Sequence, residues 1–297
     1  MPDVSKLLAQ AETLVARLEK LLPAEPAPTE WKSSIAFRWR KHHGHNGNQS
    51  RGVLQAVNQV HRIQLKDLRG IDEQKSLVEQ NTRQFVEGYP ANNVLLTGAR
   101  GTGKSSLIKA LLTKYASRGL RLIEVEKQDL IDLPDIVDLI SARPERFVLY
   151  CDDLSFEADE PGYKALKVIL DGSVAAASDN CLIYATSNRR HLMPEFMNEN
   201  LEYKHLGEEI HPGETSEEKV SLSERFGLWV SFYPFDQDEY LNIVAVWLAH
   251  FKVADTRSTD VQQASLQWAL QRGSRSGRVA WQFARDWAGR KRLAHKK

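Results

Sequence analysis

The chain has little of several features that would place it in a special class of protein. It has only two cysteines, Cys151 and Cys181, and each lies inside an apolar run. This excludes a disulfide framework and favours buried thiols in a reducing compartment. No apolar stretch approaches the ~20 residues that a membrane span needs. The formal net charge is +1, so any basic surface must be local. These absences predict a cytoplasmic globular protein without a membrane partner.

A glycine-rich segment between Asn93 and Ala110 is the most informative stretch that is present. Its centre fits the pattern G-x-x-x-x-G-K-[ST], between an apolar run typical of a buried strand and apolar residues at helical spacing. Glycines let the backbone approach phosphate oxygens closely, while lysine suits phosphates and a hydroxyl suits Mg²⁺. The residues predicted to bind a nucleoside triphosphate are Gly98, Ala99, Arg100, Gly101, Thr102, Gly103, Lys104, Ser105 and Ser106.

Two further apolar runs end in polar side chains. One ends in Asp152 and Asp153, and the other ends in Asn188. Because ligands bind at the carboxyl ends of the strands in open α/β sheets, we expect these side chains to converge with Lys104. A carboxylate in such a place can also cap a helix, but several strand ends with suitable chemistry favour a site. Ser105 and Asp152 are the predicted Mg²⁺ ligands.

The N-terminal part of the chain divides by composition into two segments. Residues 4–22 place leucines at helical spacing and lead into a proline-rich linker, so 1–28 is predicted to be a helical strut or a partner-binding arm. In 31–51, aromatic residues interleave with basic residues and three histidines. We favour a packed aromatic cluster with a solvated basic rim over single-stranded nucleic-acid binding or a metal site. Residues 29–62 are treated as an N-terminal extension.

The second half of the chain changes composition twice. Residues 195–219 are rich in glutamate and are broken by glycine and proline, which predicts a long polar excursion. Arg225 then precedes a last apolar strand. Beyond Pro234 the pattern is entirely helical. The sequence therefore predicts an α/β domain over 63–234 and a small helical lid over 235–297, whose basic end we interpret as a solvated tail.

These features together resemble the AAA+ ATPases over about residues 63–290. Segments such as Asn-Val-Leu-Leu-Thr-Gly-Ala-Arg-Gly-Thr-Gly-Lys-Ser and Ser-Glu-Arg-Phe-Gly-Leu look, more narrowly, like a bacterial domain-of-unknown-function family of predicted AAA+ ATPases. The resemblance implies a parallel sheet flanked by helices, followed by an all-helical lid. It also implies ATP and Mg²⁺ as ligands, and an oligomer in which neighbouring subunits complete each other's sites.

The resemblance further implies roles for residues outside the glycine-rich segment. Asp153 would activate the attacking water and Asn188 would position it. Arg225 would be an arginine finger for a neighbouring subunit's nucleotide. Arg278 would be a sensor in the lid, with Arg275 as the alternative. The residues that would contact the adenine are Leu68 and Ile71.

One departure from the family pattern bears on the rate of hydrolysis. Most AAA+ proteins have glutamate where Asp153 stands, and the shorter carboxylate would lie about 1.5 Å further from the water. Glu157 is an alternative base. Similar Asp-Asp pairs occur in the initiator and helicase-loader branch, which uses ATP largely as an assembly switch. We therefore expect either an oligomeric ATP-driven switch or motor with an unidentified protein or nucleic-acid partner, or a nucleotide-gated binding or loader module with slow hydrolysis.

Overall fold

A computed structural model describes residues 31–42, 51–60, 63–156, 160–171, 179–188 and 222–294. Several sequence predictions lie outside the described residues. They are the arm 1–28, the acidic excursion 195–219, the histidines His43 and His45, the alternative base Glu157 and the last three residues of the basic tail.

Seven strands form one sheet in the order β2-β1-β4-β5-β6-β3-β7. All neighbours are parallel except β1 and β2, which are antiparallel. The strands are β1 (Ala36–His42), β2 (Arg51–Ala56), β3 (Val94–Gly98), β4 (Leu120–Glu124), β5 (Arg146–Cys151), β6 (Cys181–Ser187) and β7 (Leu228–Phe232). The order places β3, the strand before the glycine-rich loop, between β6 and β7.

Seven helices accompany the strands in the described residues. They are α1 (Asp72–Glu87), α2 (Lys104–Tyr115), α3 (Leu133–Ser141), α4 (Pro161–Asp171), α5 (Gln237–His250), α6 (Thr259–Gln271) and α7 (Gly277–Ala294). Short 3₁₀ turns lie at Leu65–Asp67, Ala116–Arg118 and Lys127–Asp132. From α1 to β6 the described residues alternate helix and strand, and beyond β7 they are helical, as the sequence predicted.

The central strands are buried on both faces. In β3, Leu96 packs into one hydrophobic cluster and Leu95 into another on the opposite face. Side chains alternate along a strand, so a strand covered on both sides has an uninterrupted apolar sequence. The cluster around Leu96 also contains Phe283 of α7. The predicted fold class, a parallel sheet flanked by helices with helices after it, is confirmed.

The basic and aromatic segment contains β1, which together with β2 forms one edge of this sheet. Phe37 and Trp39 are buried, and the ring of Trp31 lies 5.1 Å from that of Phe37 and 5.3 Å from that of Phe147. The packed aromatic cluster is therefore confirmed. The sequence interpretation missed that the segment is a strand, although its aromatic and basic residues alternate with a period of two. The division of the chain at residue 62 stays a proposal, and β1 pairs directly with β4.

The first helix after β7 begins with a side-chain cap. Asp236 accepts a hydrogen bond from the backbone N–H of Glu239 at 2.8 Å, and the carboxylate of Glu239 accepts the backbone N–H of Asp236 at 3.0 Å. Ser258 precedes α6, and its side chain makes no capping hydrogen bond.

Candidate nucleotide site

The glycine-rich loop has a backbone conformation that needs glycine. Gly98, Gly101 and Gly103 have φ values of 121°, 75° and 104°, in a region that L side chains rarely adopt. A Cβ on Gly98 would lie 1.9 Å from the carbonyl oxygen of Phe232. A Cβ on Gly101 would lie 2.9 Å from Ser276, just before α7. The loop is therefore wedged between the end of β7 and the start of α7.

Lys104 is folded back under this loop. Its Nζ donates hydrogen bonds to the carbonyl oxygens of Gly98 at 2.7 Å and Ala99 at 2.8 Å, and to Oδ1 of Asn188 at 3.2 Å. The residue is only 6% exposed. Burial lowers the pKa of Lys104, although the nearby carboxylates of Asp152 and Asp153 act in the opposite direction. The two carbonyl oxygens thus hold the lysine nitrogen in place beneath the loop.

Ser105 and Asp152 lie side by side, as the sequence predicted. Ser105 Oγ donates to Oδ1 of Asp152 at 2.9 Å, and Thr186 Oγ1 donates to the same oxygen at 2.6 Å. Burial by itself raises the pKa of Asp152, but hydrogen bonds led by the one from Thr186 outweigh it, so the pKa lies below its usual range. The carboxylate is therefore held ionised next to a hydroxyl. Both are hard oxygen donors of the kind that Mg²⁺ prefers.

Thr186 is a site residue that the sequence interpretation missed. Besides bonding Asp152, its Oγ1 accepts the backbone N–H of Asp153 at 2.9 Å. One threonine on β6 thus holds the carboxylate of Asp152 and the backbone of Asp153 at the end of β5. A signal was available, because Thr186 lies two residues before Asn188 at the end of a predicted strand, where alternate residues share a face.

Asp153 has an unusual backbone and two side-chain partners. Its φ is 53°, in the left-handed region that aspartate tolerates better than most residues. Asn188 Nδ2 donates to its Oδ1, and Arg100 Nη2 lies 3.8 Å from its Oδ2. The structure therefore brings Asp153 together with Asn188, and with Lys104 through the amide of Asn188.

The start of α7 closes the site from the helical side. The backbone N–H of Gly277 donates to the carbonyl oxygen of Gly101 at 2.9 Å. Arg278 follows immediately and lines the cavity, whereas Arg275, the alternative sensor, does not. The glycine-rich loop and the helical segment are thus joined by a direct backbone contact.

These groups surround a cavity of about 760 Å³. The lining combines polar groups of the loop, Asp152, Asp153 and Asn188 with apolar side chains. The apolar side chains include both residues predicted to contact adenine, Leu68 and Ile71. The lining residues that sequence reasoning missed are Ile63, Asp67, Arg69, Lys109, Thr186, Phe235, Ile243, Trp247, Gly277 and Trp281. No local sequence signal identifies Trp247 and Trp281 as site residues, because they line the cavity only through the packing of α5 and α7.

Three of the predicted site residues do not line the cavity. Gly98 and Ala99 lie beneath it, where their carbonyl oxygens hold Lys104. Arg225 lies elsewhere, and its Nε donates to Oδ1 of Asp171 at the end of α4. The structure thus separates Arg225 from the cavity of its own chain.

The part of the chain that the structure describes contains no group of three or more His, Cys, Asp or Glu side chains that could hold a metal ion. None of its helices is both long and apolar enough to cross a membrane.

A family model described as "Protein of unknown function (DUF815)" matches residues 32–291. A search of the curated proteins found no match to this chain. Among solved structures, chains of RuvB from Thermotoga maritima are similar. One, titled a Holliday junction branch migration motor, is 16% identical with a TM-score of 0.45, covering 75% of this chain and 63% of that one. Two RuvB mutants are 12% and 16% identical, both with a TM-score of 0.49, over 75% and 76% of this chain. This chain spans 63% and 65% of those mutants' lengths.

Proposed function

This chain belongs to the family described as "Protein of unknown function (DUF815)", and we propose from its site that it is an AAA+ ATPase that binds ATP with Mg²⁺ and hydrolyses it. One observation carries the proposal. The glycine-rich loop, Lys104, the Ser105–Asp152 pair and the Asp153–Asn188 pair meet at one edge of a parallel sheet, beside an apolar cleft. A bound triphosphate needs the loop, the lysine and the polar pairs, and the adenine of the nucleotide needs the apolar cleft.

The triphosphate would lie along the loop with Lys104 beneath it. The pKa of Lys104 is lowered mainly by burial, so an anionic phosphate alongside it would favour the charged ammonium. Arg100 and Arg278, whose charges act on Lys104, add positive charge to the cavity. Leu68, Ile71 and the missed Trp247 would supply apolar surface for the adenine.

Ser105 and Asp152 would hold the Mg²⁺. Their two oxygens are already adjacent, and the lowered pKa of Asp152 keeps its carboxylate ionised. The bound ion would offset phosphate charge during transfer. Thr186 would orient Asp152 through its hydrogen bond and thereby keep one carboxylate oxygen turned toward Ser105.

Hydrolysis would use Asp153 to accept a proton from the attacking water and Asn188 to orient that water. The contacts of Asp153 also favour a second candidate function, a nucleotide-gated switch with slow turnover. Asn188 and Arg100 both hold this carboxylate, which is one methylene shorter than the glutamate usual in the superfamily. Single-turnover rates would separate an efficient motor from a slow switch.

We further propose that the protein self-associates when it binds ATP and that it acts on a macromolecular partner. Arg225 supports this, because it lies outside the cavity of its own chain and an arginine finger must reach a neighbouring one. Light scattering with and without ATP measures the predicted change in size. An unchanged mass at saturating ATP would contradict the oligomeric part of the proposal and leave nucleotide binding intact.

Calorimetry of the full chain with ATP tests the proposal directly. We expect binding in the presence of Mg²⁺ that weakens when EDTA is added, and phosphate release that requires Mg²⁺. GTP is the matched control ligand, because it carries the same triphosphate on a different base. The absence of binding by either nucleotide would refute the proposal.

A further inference from the structure

Helix α7 carries an excess of positive charge that the nucleotide site does not use. It has five basic side chains and one acidic one, in a chain whose net charge is only +1. Arg278, Arg285 and Arg292 recur every seven residues. With 3.6 residues per turn and 1.5 Å rise per residue, they lie on one side of the helix about 10 Å apart. This row begins at the nucleotide cavity and runs away from it.

Little of this charge is neutralised within the part of the chain that the structure describes. The guanidinium of Arg285 lies 5.2 Å from the ring centroid of Trp281, which fixes its position without cancelling its charge. Arg292 donates to the carbonyl oxygen of Phe251 at 2.9 Å. Among the basic side chains of α7, only Arg290 pairs with a carboxylate of a described residue, that of Asp286 at 2.5 Å.

Gly289 lies between Arg285 and Arg292 and is a second, independent observation. It is exposed, it stands inside a helix, and a Cβ built on it would meet nothing within 4 Å. Glycine is a poorer helix former than almost any other residue, and no described neighbour requires it here. A glycine in such a place allows the backbone of the helix to approach a ligand closely.

We propose that the face of α7 formed by Arg285, Gly289 and Arg292 binds the phosphate backbone of a nucleic acid. Arginine matches phosphate geometry with two parallel N–H groups, and the regular spacing suits a repeating polyanion. The opposite side of α7 is packed into the core through residues such as Phe283 and Ala284. It therefore has no free apolar face with which to lie in a membrane surface. The proposal does not depend on ATP hydrolysis.

Fluorescence anisotropy of the full chain with a short labelled DNA duplex, over a range of salt concentrations, tests this. Each phosphate contact adds about 0.9 to the slope of log K against log salt, so Arg285→Gln with Arg292→Gln should lower the slope by about 2. The matched control is Arg83→Gln with Lys164→Gln, which removes two exposed cations from other elements. The control should leave the slope unchanged.

The variant Gly289→Gln tests whether close approach of the helix backbone contributes to binding independently of the arginine charges. It leaves the net charge alone and replaces glycine by a better helix former, so the thermal midpoint should hold or rise while duplex binding weakens. A loss of binding together with preserved stability is not explained by misfolding. The proposal is overturned if the wild type does not bind duplex at low salt, if the two double variants have equal slopes, or if polyglutamate displaces the duplex as well as unlabelled DNA does.

Discussion

The cations at the edge of the sheet and those at the nucleotide cavity have different kinds of partners. On β1, Arg38 pairs with Glu124 at 2.7 Å and Arg40 with Glu126 at 2.5 Å. Lys41 Nζ lies 3.0 Å from Asp132, whose carboxylate also accepts the indole N–H of Trp39 at 2.8 Å. Each of these three basic groups is paired with a carboxylate on β4 or in the segment that follows it.

At the cavity, the basic side chains of Lys104, Arg100 and Arg278 are not closely paired with carboxylates of described residues. Lys104 bonds neutral carbonyls and an amide, and Arg100 is 3.8 Å from the nearest oxygen of Asp153. Arg278 has no ion pair with any residue that the structure describes. Composition alone made the β1 segment the more attractive nucleic-acid candidate. The pairing of charges instead favours the cavity for phosphate and α7 for a polyanion.

Arg225 tests the contrast between paired and available cations most directly, and its replacement has the largest expected effect on ATP turnover. It is paired with Asp171, like the cations of the sheet edge, yet we predict that it acts on a neighbouring subunit's nucleotide. Arg225→Ala should bind ATP normally and lose about 10³–10⁵ in turnover, the range known for arginine fingers. Steady-state phosphate release and calorimetry measure the two quantities.

Asp171→Asn is the matched control for Arg225, because it breaks the same ion pair and keeps the guanidinium. If Arg225 is only structural, both variants lose stability alike and neither loses rate selectively. Mixing Arg225→Ala with Lys104→Ala subunits should restore part of the activity, since mixed interfaces pair an intact cavity with an intact arginine. A mixture that is no more active than its components, when subunits exchange, would exclude the trans role.

Asp153 belongs to the cavity and should affect turnover more than binding. Asp153→Asn should slow hydrolysis by about 10²–10⁴ with ATP affinity kept, because only the transition state needs the base. Asparagine tolerates the left-handed φ of 53° and still accepts the amide of Asn188, so the fold is preserved. Equal single-turnover rates would show that another group activates the water.

Most of the polar residues that line the cavity could be predicted from the sequence, because they lie in short contiguous patterns. Gly98 to Ser105 form one motif, and Asp152 and Asn188 each stand at the end of a predicted strand. The carboxylate partners of the β1 cations could not be predicted from the sequence, because Arg38 and Glu124 are 86 residues apart. The position of Trp281 could not be predicted either, because it lies far from the loop in the sequence and reaches the cavity only through the packing of α7.

Lys104→Ala should weaken ATP binding with no loss of fold. Removing hydrogen bonds to a charged group costs about 2 kcal/mol, or about thirty-fold in affinity. The side chain lies under the loop and bonds only groups at the cavity, so the thermal midpoint should change little. Calorimetry with ATP and Mg²⁺ measures the loss, and Lys109→Ala, which removes another cation that lines the cavity, is the control. Equal affinities of wild type and Lys104→Ala would refute the assignment of the loop.

The pair of Arg38 and Glu124 should have the smallest effect, confined to stability. Its side chains are 38% and 30% exposed, so solvent screens the attraction, and we expect a coupling of about 0.5 kcal/mol. A double-mutant cycle with Arg38→Gln and Glu124→Gln, followed by urea denaturation, measures this free energy. ATP affinity and duplex affinity should both stay at the wild-type values, because the charge of Arg38 is paired with Glu124 within the fold.

A loss of duplex binding in Arg38→Gln comparable to that of the Arg285 and Arg292 double variant would show that ion pairing does not exclude a nucleic-acid role. The contrast between the two regions would then fail.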